Sequence, residues 1–155
     1  MKPGAGDQAQ LDADTGRHLA LLERGTLHRI IPVCVVALGD RVQIELHSAE
    51  IRADGGYVLL RAVEMGLAAR ATGEEPFMTL AEPHLTIGDD VGTRYGAALV
   101  TADTTDGRVW RHRFAFEPSP PTNAHRMRVE IESFGPGDIA GHDEITGPWV
   151  FEFNI

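Results

Sequence analysis

The chain has 155 residues, 43% of them apolar, a formal net charge of -9 and a single cysteine. That length fits one domain able to bury its own core, and one cysteine excludes an internal disulfide framework. The negative charge argues against a nucleic-acid or anionic-lipid partner, which would require clustered Arg and Lys, and no run of 18 apolar residues exists to span a membrane.

Residues 1–26 read as a flexible tail with one short helix over 15–24, where Thr15 is the N-cap, Gly25 the stop and Leu19, Leu21 and Leu22 the apolar side. Met1 to Gln10 is polar and lacks the apolar centre of a secretory signal, so the expected location is cytoplasmic. Lys2 is the only lysine; arginine supplies every other basic residue, a usage that suits a GC-rich bacterial genome.

From Arg29 the pattern turns to strands. Ile30 to Ala37 is an apolar run containing Pro32 and Cys34, and Cys34 is expected as a small buried hydrophobe. Val42, Ile44 and Leu46 alternate with Arg41, Gln43 and Glu45, a half-buried strand with period two. The alternation slips at His47-Ser48 and resumes at Ala49 and Ile51, which predicts a β-bulge or bend. Asp54-Gly55-Gly56 then supplies the positive φ of a tight hairpin. Tyr57 to Met65, His84 to Ile87, Tyr95 to Thr101, Val109 to Phe116, Met127 to Ile131 and Trp149 to Ile155 continue the series. A second hairpin signal is Thr104-Thr105-Asp106-Gly107. Pro118 to Thr122 is a proline-stiffened crossing, and Phe134 to Gly147 a long exposed loop. About eight strands at regular spacing predict a sandwich or barrel over 27–155.

Arg29-Ile30-Ile31-Pro32-Val33, Ala53-Asp54-Gly55-Gly56-Tyr57, Asp89-Asp90-Val91-Gly92-Thr93-Arg94-Tyr95, Phe114 to Pro118 and Pro148 to Phe153 together resemble immunoglobulin-like domains of uncharacterised bacterial proteins, actinobacterial ones especially. The resemblance implies an all-β, immunoglobulin-like β-sandwich of about seven to nine antiparallel strands. It implies no activity, no cofactor and no catalytic residue.

Candidate metal ligands fall in two places. Asp89 and Asp90 could hold a hard cation, but two carboxylates supply too few oxygens, and the expected role is a turn in which Asp accepts from nearby backbone N–H groups while Gly92 takes a positive φ. Asp138, His142, Asp143 and Glu144 form an acidic, glycine-rich loop without a second His or Cys at zinc spacing. In Arg108 to Arg113, period two puts Arg111 and Arg113 on one face and Trp110 and His112 on the other, so pairing with acidic residues across the sheet is expected over nucleic-acid stacking. The three serines, Ser48, Ser119 and Ser133, lie in no nucleophile motif. The expected function is a non-enzymatic protein-binding or assembly module with a protein partner or self-association, a homodimer included. The alternatives are a small-ligand or metal-binding domain using the 135–147 loop, and a hydrolase with a dispersed His/Asp site.

Overall fold

The computed structural model describes residues 26–65, 78–135 and 144–155. The expected helix at 15–24 and the loop residues Asp138, His142 and Asp143 lie outside the described residues. Among those described, the chain forms eight strands: β1 Leu27–Leu38, β2 Val42–Arg52, β3 Gly55–Glu64, β4 Pro83–Asp89, β5 Gly96–Thr104, β6 Val109–Glu117, β7 Arg126–Phe134 and β8 Ile145–Asn154, with a 3-10 turn at Met78–Ala81 before β4. All pairings are antiparallel. They build a five-stranded sheet in the order β1-β2-β3-β6-β5 and a three-stranded sheet in the order β4-β7-β8.

Alternation puts the core between the sheets. Val42, Ile44, Leu46, Val58, Leu60, Trp110, Phe114 and Phe116 point inward from the larger sheet, and Met127, Val129, Ile131, Trp149, Phe151 and Phe153 from the smaller. Each large side chain removed from water this way contributes roughly 1.5–3 kcal/mol. Leu80 of the 3-10 turn joins the same cluster. Its carbonyl accepts a hydrogen bond from His112 Nε2–H, which fixes the buried imidazole tautomer and leaves Nδ1 as a bare acceptor with no hydrogen-bond partner.

Several hairpin details depart from the sequence reading. In the β2–β3 hairpin Arg52 pairs with Gly55, so the turn residues are Ala53 and Asp54 and both glycines already belong to β3. Gly55 has a φ of 155°, and the ring of Phe116 lies against Gly56, where a Cβ would sit 2.4 Å from its Cζ. The glycines therefore serve a close approach as much as a turn. The expected loop over Phe134 to Gly147 is also shorter than predicted. Phe134 is fully buried at the end of β7, and β8 begins at Ile145, itself buried. Two β8 residues explain why alternation is hard to read there: Gly147 admits the Trp149 ring, and Pro148 interrupts the pattern.

The predicted slip at His47 is present. Leu46 pairs with Leu60 and Ser48 with Leu59, so His47 is the extra residue of a bulge. On its other side Pro32 pairs with Ser48 and Val35 with Leu46, so Val33 and Cys34 together face His47. A third irregularity falls at Val100 of β5, close to the same row across the sheet. Stacked bulges bend the sheet and re-aim the side chains they carry.

Candidate functional site

The bend sets the character of the solvent-facing side of the five-stranded sheet. A groove of about 400 Å³ runs along the bulge row, lined by His47, Leu59, Arg61, Thr101, Asp103 and Arg113 among others. Next to it, Glu50 Oε2 accepts from Arg52 Nη2 at 3.2 Å and lies 3.5 Å from Arg113 Nη2. The ring of Tyr57 lies under both guanidinium groups, 4.0 Å from the Arg113 Cζ and 5.3 Å from that of Arg52. Burial of this ring raises the Tyr57 pKa, against the lowering pull of Arg113 and Arg52. Arg113 is thus engaged by an acidic residue two strands away and by an aromatic ring on the adjacent strand, the cross-sheet pairing expected of its face.

Toward the sheet edge the lattice of charges gives way to apolar side chains. Glu45 Oε1 lies 3.6 Å from His47 Nδ1, and its Oε2 lies 4.0 Å from Arg61 Nη1. Beyond them, β1 exposes Leu27, Ile30, Val35, Val36 and Leu38, five of the eight large apolar residues exposed among the described residues. Cys34 is exposed too, contrary to its expected burial. The reason is positional: β1 is an edge strand, and the bulge holds Cys34 at φ 50° with its thiol directed at the His47 carbonyl, 3.7 Å away. The signal that could have revealed this is Pro32. A proline inside an apolar run marks an edge strand, and an edge strand has only one neighbour to cover it.

The sequence candidates separate cleanly. Asp89 Oδ1 accepts from the backbone N–H groups of Val91 and Thr93 at 3.0 and 2.9 Å, and Oδ2 accepts from the Tyr95 hydroxyl at 2.7 Å. Desolvation pushes the Asp89 pKa up, but hydrogen bonds from Thr93, Tyr95 and Val91 outweigh it and lower it to about 2. Tyr95 is raised in turn, first by burial and then by Asp89. Its ring packs edge-on against Phe116 at 5.7 Å, just ahead of β5 rather than within it. Asp90 Oδ1 accepts from the His125 backbone N–H at 3.0 Å, which together with a second backbone donor, Arg126, lowers its pKa. The Asp89 carboxylate thus braces the β4–β5 turn internally, and that of Asp90 ties the turn to the residue preceding β7. Gly92, at φ 80°, completes the turn. Glu144 is exposed immediately before β8, far in sequence from Asp89 and Asp90.

His112, named for a dispersed catalytic site, is buried at 2% exposure and stacked on Trp110. Burial lowers its pKa, opposed by the Leu80 carbonyl and Asp103. The imidazole is almost wholly buried, and His112 is one of the residues at the floor of the groove along the bulge row. Among the described residues no helix is long and apolar enough to cross a membrane.

No protein-family model matches the chain, and no curated protein matches it. Among solved structures, the chain is similar to the crystal structure of a conserved domain protein from Bacillus anthracis, with a TM-score of 0.53 and 13% identity. The likeness covers 82% of this chain and 48% of that one, so this chain corresponds to about half of the Bacillus protein. At that identity the likeness concerns the fold alone.

Proposed function

We propose that the domain is an immunoglobulin-like sandwich that acts as a non-enzymatic assembly module, docking through the outer face of β1 onto a second copy of itself. The strand order supports the fold reading. Taken in chain order, β2 to β8 run as A to G, and β2-β3-β6-β5 with β4-β7-β8 reproduces the ABED and CFG sheets of constant-type immunoglobulin domains. β1 is then an added strand outside A. The single Cys34 sets this chain apart from antibody domains, which pair two cysteines between the sheets.

The observation that carries the functional reading is the concentration of exposed apolar side chains on β1. Ile30 is 57% exposed and Leu38 72%. Clusters of this kind mark interaction surfaces. Backbone pairing is not what this edge offers, because Pro32 lacks an N–H and the Val33–Cys34 bulge breaks the ladder, both devices that blunt edges. Its side-chain face remains. The twelve residues of β1 contain no Asp or Glu in a chain of net charge -9. A two-fold contact between two β1 faces therefore brings two acidic molecules together without opposing carboxylates on that strand.

The test is sedimentation equilibrium of the full chain under reducing conditions over a concentration series. A reversible dimer is expected, weakened about tenfold or more by Leu38→Asp, since an unpaired charge in an apolar contact is heavily penalised. A chain monomeric at every concentration contradicts self-association. A monomer that binds a foreign protein through the same face replaces the second copy with that partner.

A further inference from the structure

We infer that Cys34, Glu45 and His47 form a binding site for a zinc-class divalent ion on the outer face of the β1–β2 bulge. Among the described residues these three are the one set of His, Cys, Asp or Glu whose ligand atoms lie close enough to share an ion: the Cys34 thiol, a Glu45 carboxylate oxygen and a His47 ring nitrogen all fall within 4.8 Å of one another.

The double bulge is what assembles them. Glu45 and His47 are two residues apart on β2, so the pleat already presents both on one side of the sheet. Cys34 comes from the neighbouring strand, and the extra residue in β1 shifts it into the row of His47. Without that extra residue β1 would run in plain alternation through this row. Zinc bonds of about 2.3 Å to sulfur and about 2.1 Å to nitrogen or oxygen place tetrahedral donors about 3.5 Å apart. The Glu45–His47 separation of 3.6 Å already has that spacing. The thiol has to close by roughly an ångström to reach it, which a χ1 adjustment of an exposed side chain on an edge strand supplies.

The donor set suits the ion. One thiolate, one carboxylate and one neutral imidazole neutralise a divalent charge, and sulfur with imidazole favours zinc over magnesium or calcium. Arg61, 4.0 Å from Glu45 Oε2, holds the outer carboxylate oxygen and leaves Oε1 facing His47, the role an outer-shell partner plays in metal sites. On binding, the Cys34 S–H proton leaves to solvent and its weak bond to the His47 carbonyl is lost. Three protein ligands leave a fourth position, open to water because both Cys34 and His47 are exposed. The site shares the outer face of β1 with the proposed assembly but is tested separately, since its readout is a spectrum and not an oligomeric state.

Cobalt(II) is the probe. Added anaerobically to the reduced full chain, Co²⁺ is expected to give a sulfur-to-cobalt charge-transfer band, abolished by an equivalent of Zn²⁺. Cys34 is the only thiol in the chain, so the band reports on this residue alone. Cys34→Ser should eliminate it, and His47→Ala should eliminate it or weaken Co²⁺ binding more than Glu45→Gln, expected to cost about tenfold in affinity. Melting curves of the metal-free variants should match the wild type, because Cys34 and His47 are exposed and Glu45 is only partly buried. Absence of a charge-transfer band overturns the site. So does a band whose affinity His47→Ala leaves unchanged, which would place Cys34 with other ligands.

Discussion

β1 and β8 are both edge strands and they touch each other, yet they dispose of their apolar residues in opposite ways. β8 alternates: Trp149, Phe151 and Phe153 point into the core while Val150, Glu152 and Asn154 face water. β1 is apolar on both faces, and its burial is intermediate only at Ile31, Val33 and Ala37, the residues packed against the core cluster. The difference teaches that an apolar run and an apolar stripe mean different things at an edge. Alternation gives a strand one face to bury and one to solvate. A continuous run on a strand with one neighbour leaves half its apolar surface uncovered, and that surface is available to something else.

The contrast can be broken most severely from the β8 side. Phe151→Ala removes a ring only 1% exposed from the core-facing side of the three-stranded sheet, and should cost about 3–5 kcal/mol in a chemical denaturation curve. Leu38→Asp on β1 should change the same curve by no more than about 0.5 kcal/mol. Equal losses at the two positions would erase the distinction between the strands. An effect between these two is expected at Gly147, where a Cβ would lie 2.6 Å from Trp149 Cε3 and 2.8 Å from the Ile131 carbonyl oxygen. Gly147→Ala should destabilise by about 1–3 kcal/mol through overpacking of the Trp149 ring, read as a lower melting temperature.

A further effect is pH-dependent. The folded pKa of Asp89, about 2, lies below the ordinary 3.8. Its hydrogen bonds therefore stabilise the fold above that ordinary value, and the contribution is lost as pH falls through the folded value. Asp89→Asn should melt at a lower temperature than wild type near neutral pH, with the gap narrowing in acid. A gap that stays constant across that range would separate the Asp89 turn from acid stability.

Much of this fold is legible in the sequence because period-two patterns are strong where one face is buried. Val42 to Leu46, Met127 to Ile131 and Trp149 to Phe153 declare their strands and their inward faces, and the slip at His47 declares the bulge. The Asp89 turn was legible as well, since Asp, Gly and Thr have local partners within six residues. What stayed hidden depends on strand neighbours. Cys34 looks buried in its own apolar run; Pro32 is the one local hint of an edge, and it takes the strand order, in which β2 is the one strand paired with β1 among the described residues, to expose the thiol. The meeting of Cys34 with Glu45 and His47 follows from register across a hairpin with an irregular ladder, where a shift of one residue moves a side chain to the other face. The 135–147 loop offered the richer ligand chemistry on paper, but of its acidic and histidine candidates only Glu144 lies among the described residues.

The most direct test of the contrast is hydrogen–deuterium exchange of the full, reduced chain at increasing protein concentration. If β1 docks onto a second copy, amides in 27–38 exchange more slowly as concentration rises while those in 145–154 keep the same protection throughout. Exchange in β1 that is unchanged at every concentration would contradict the assembly reading.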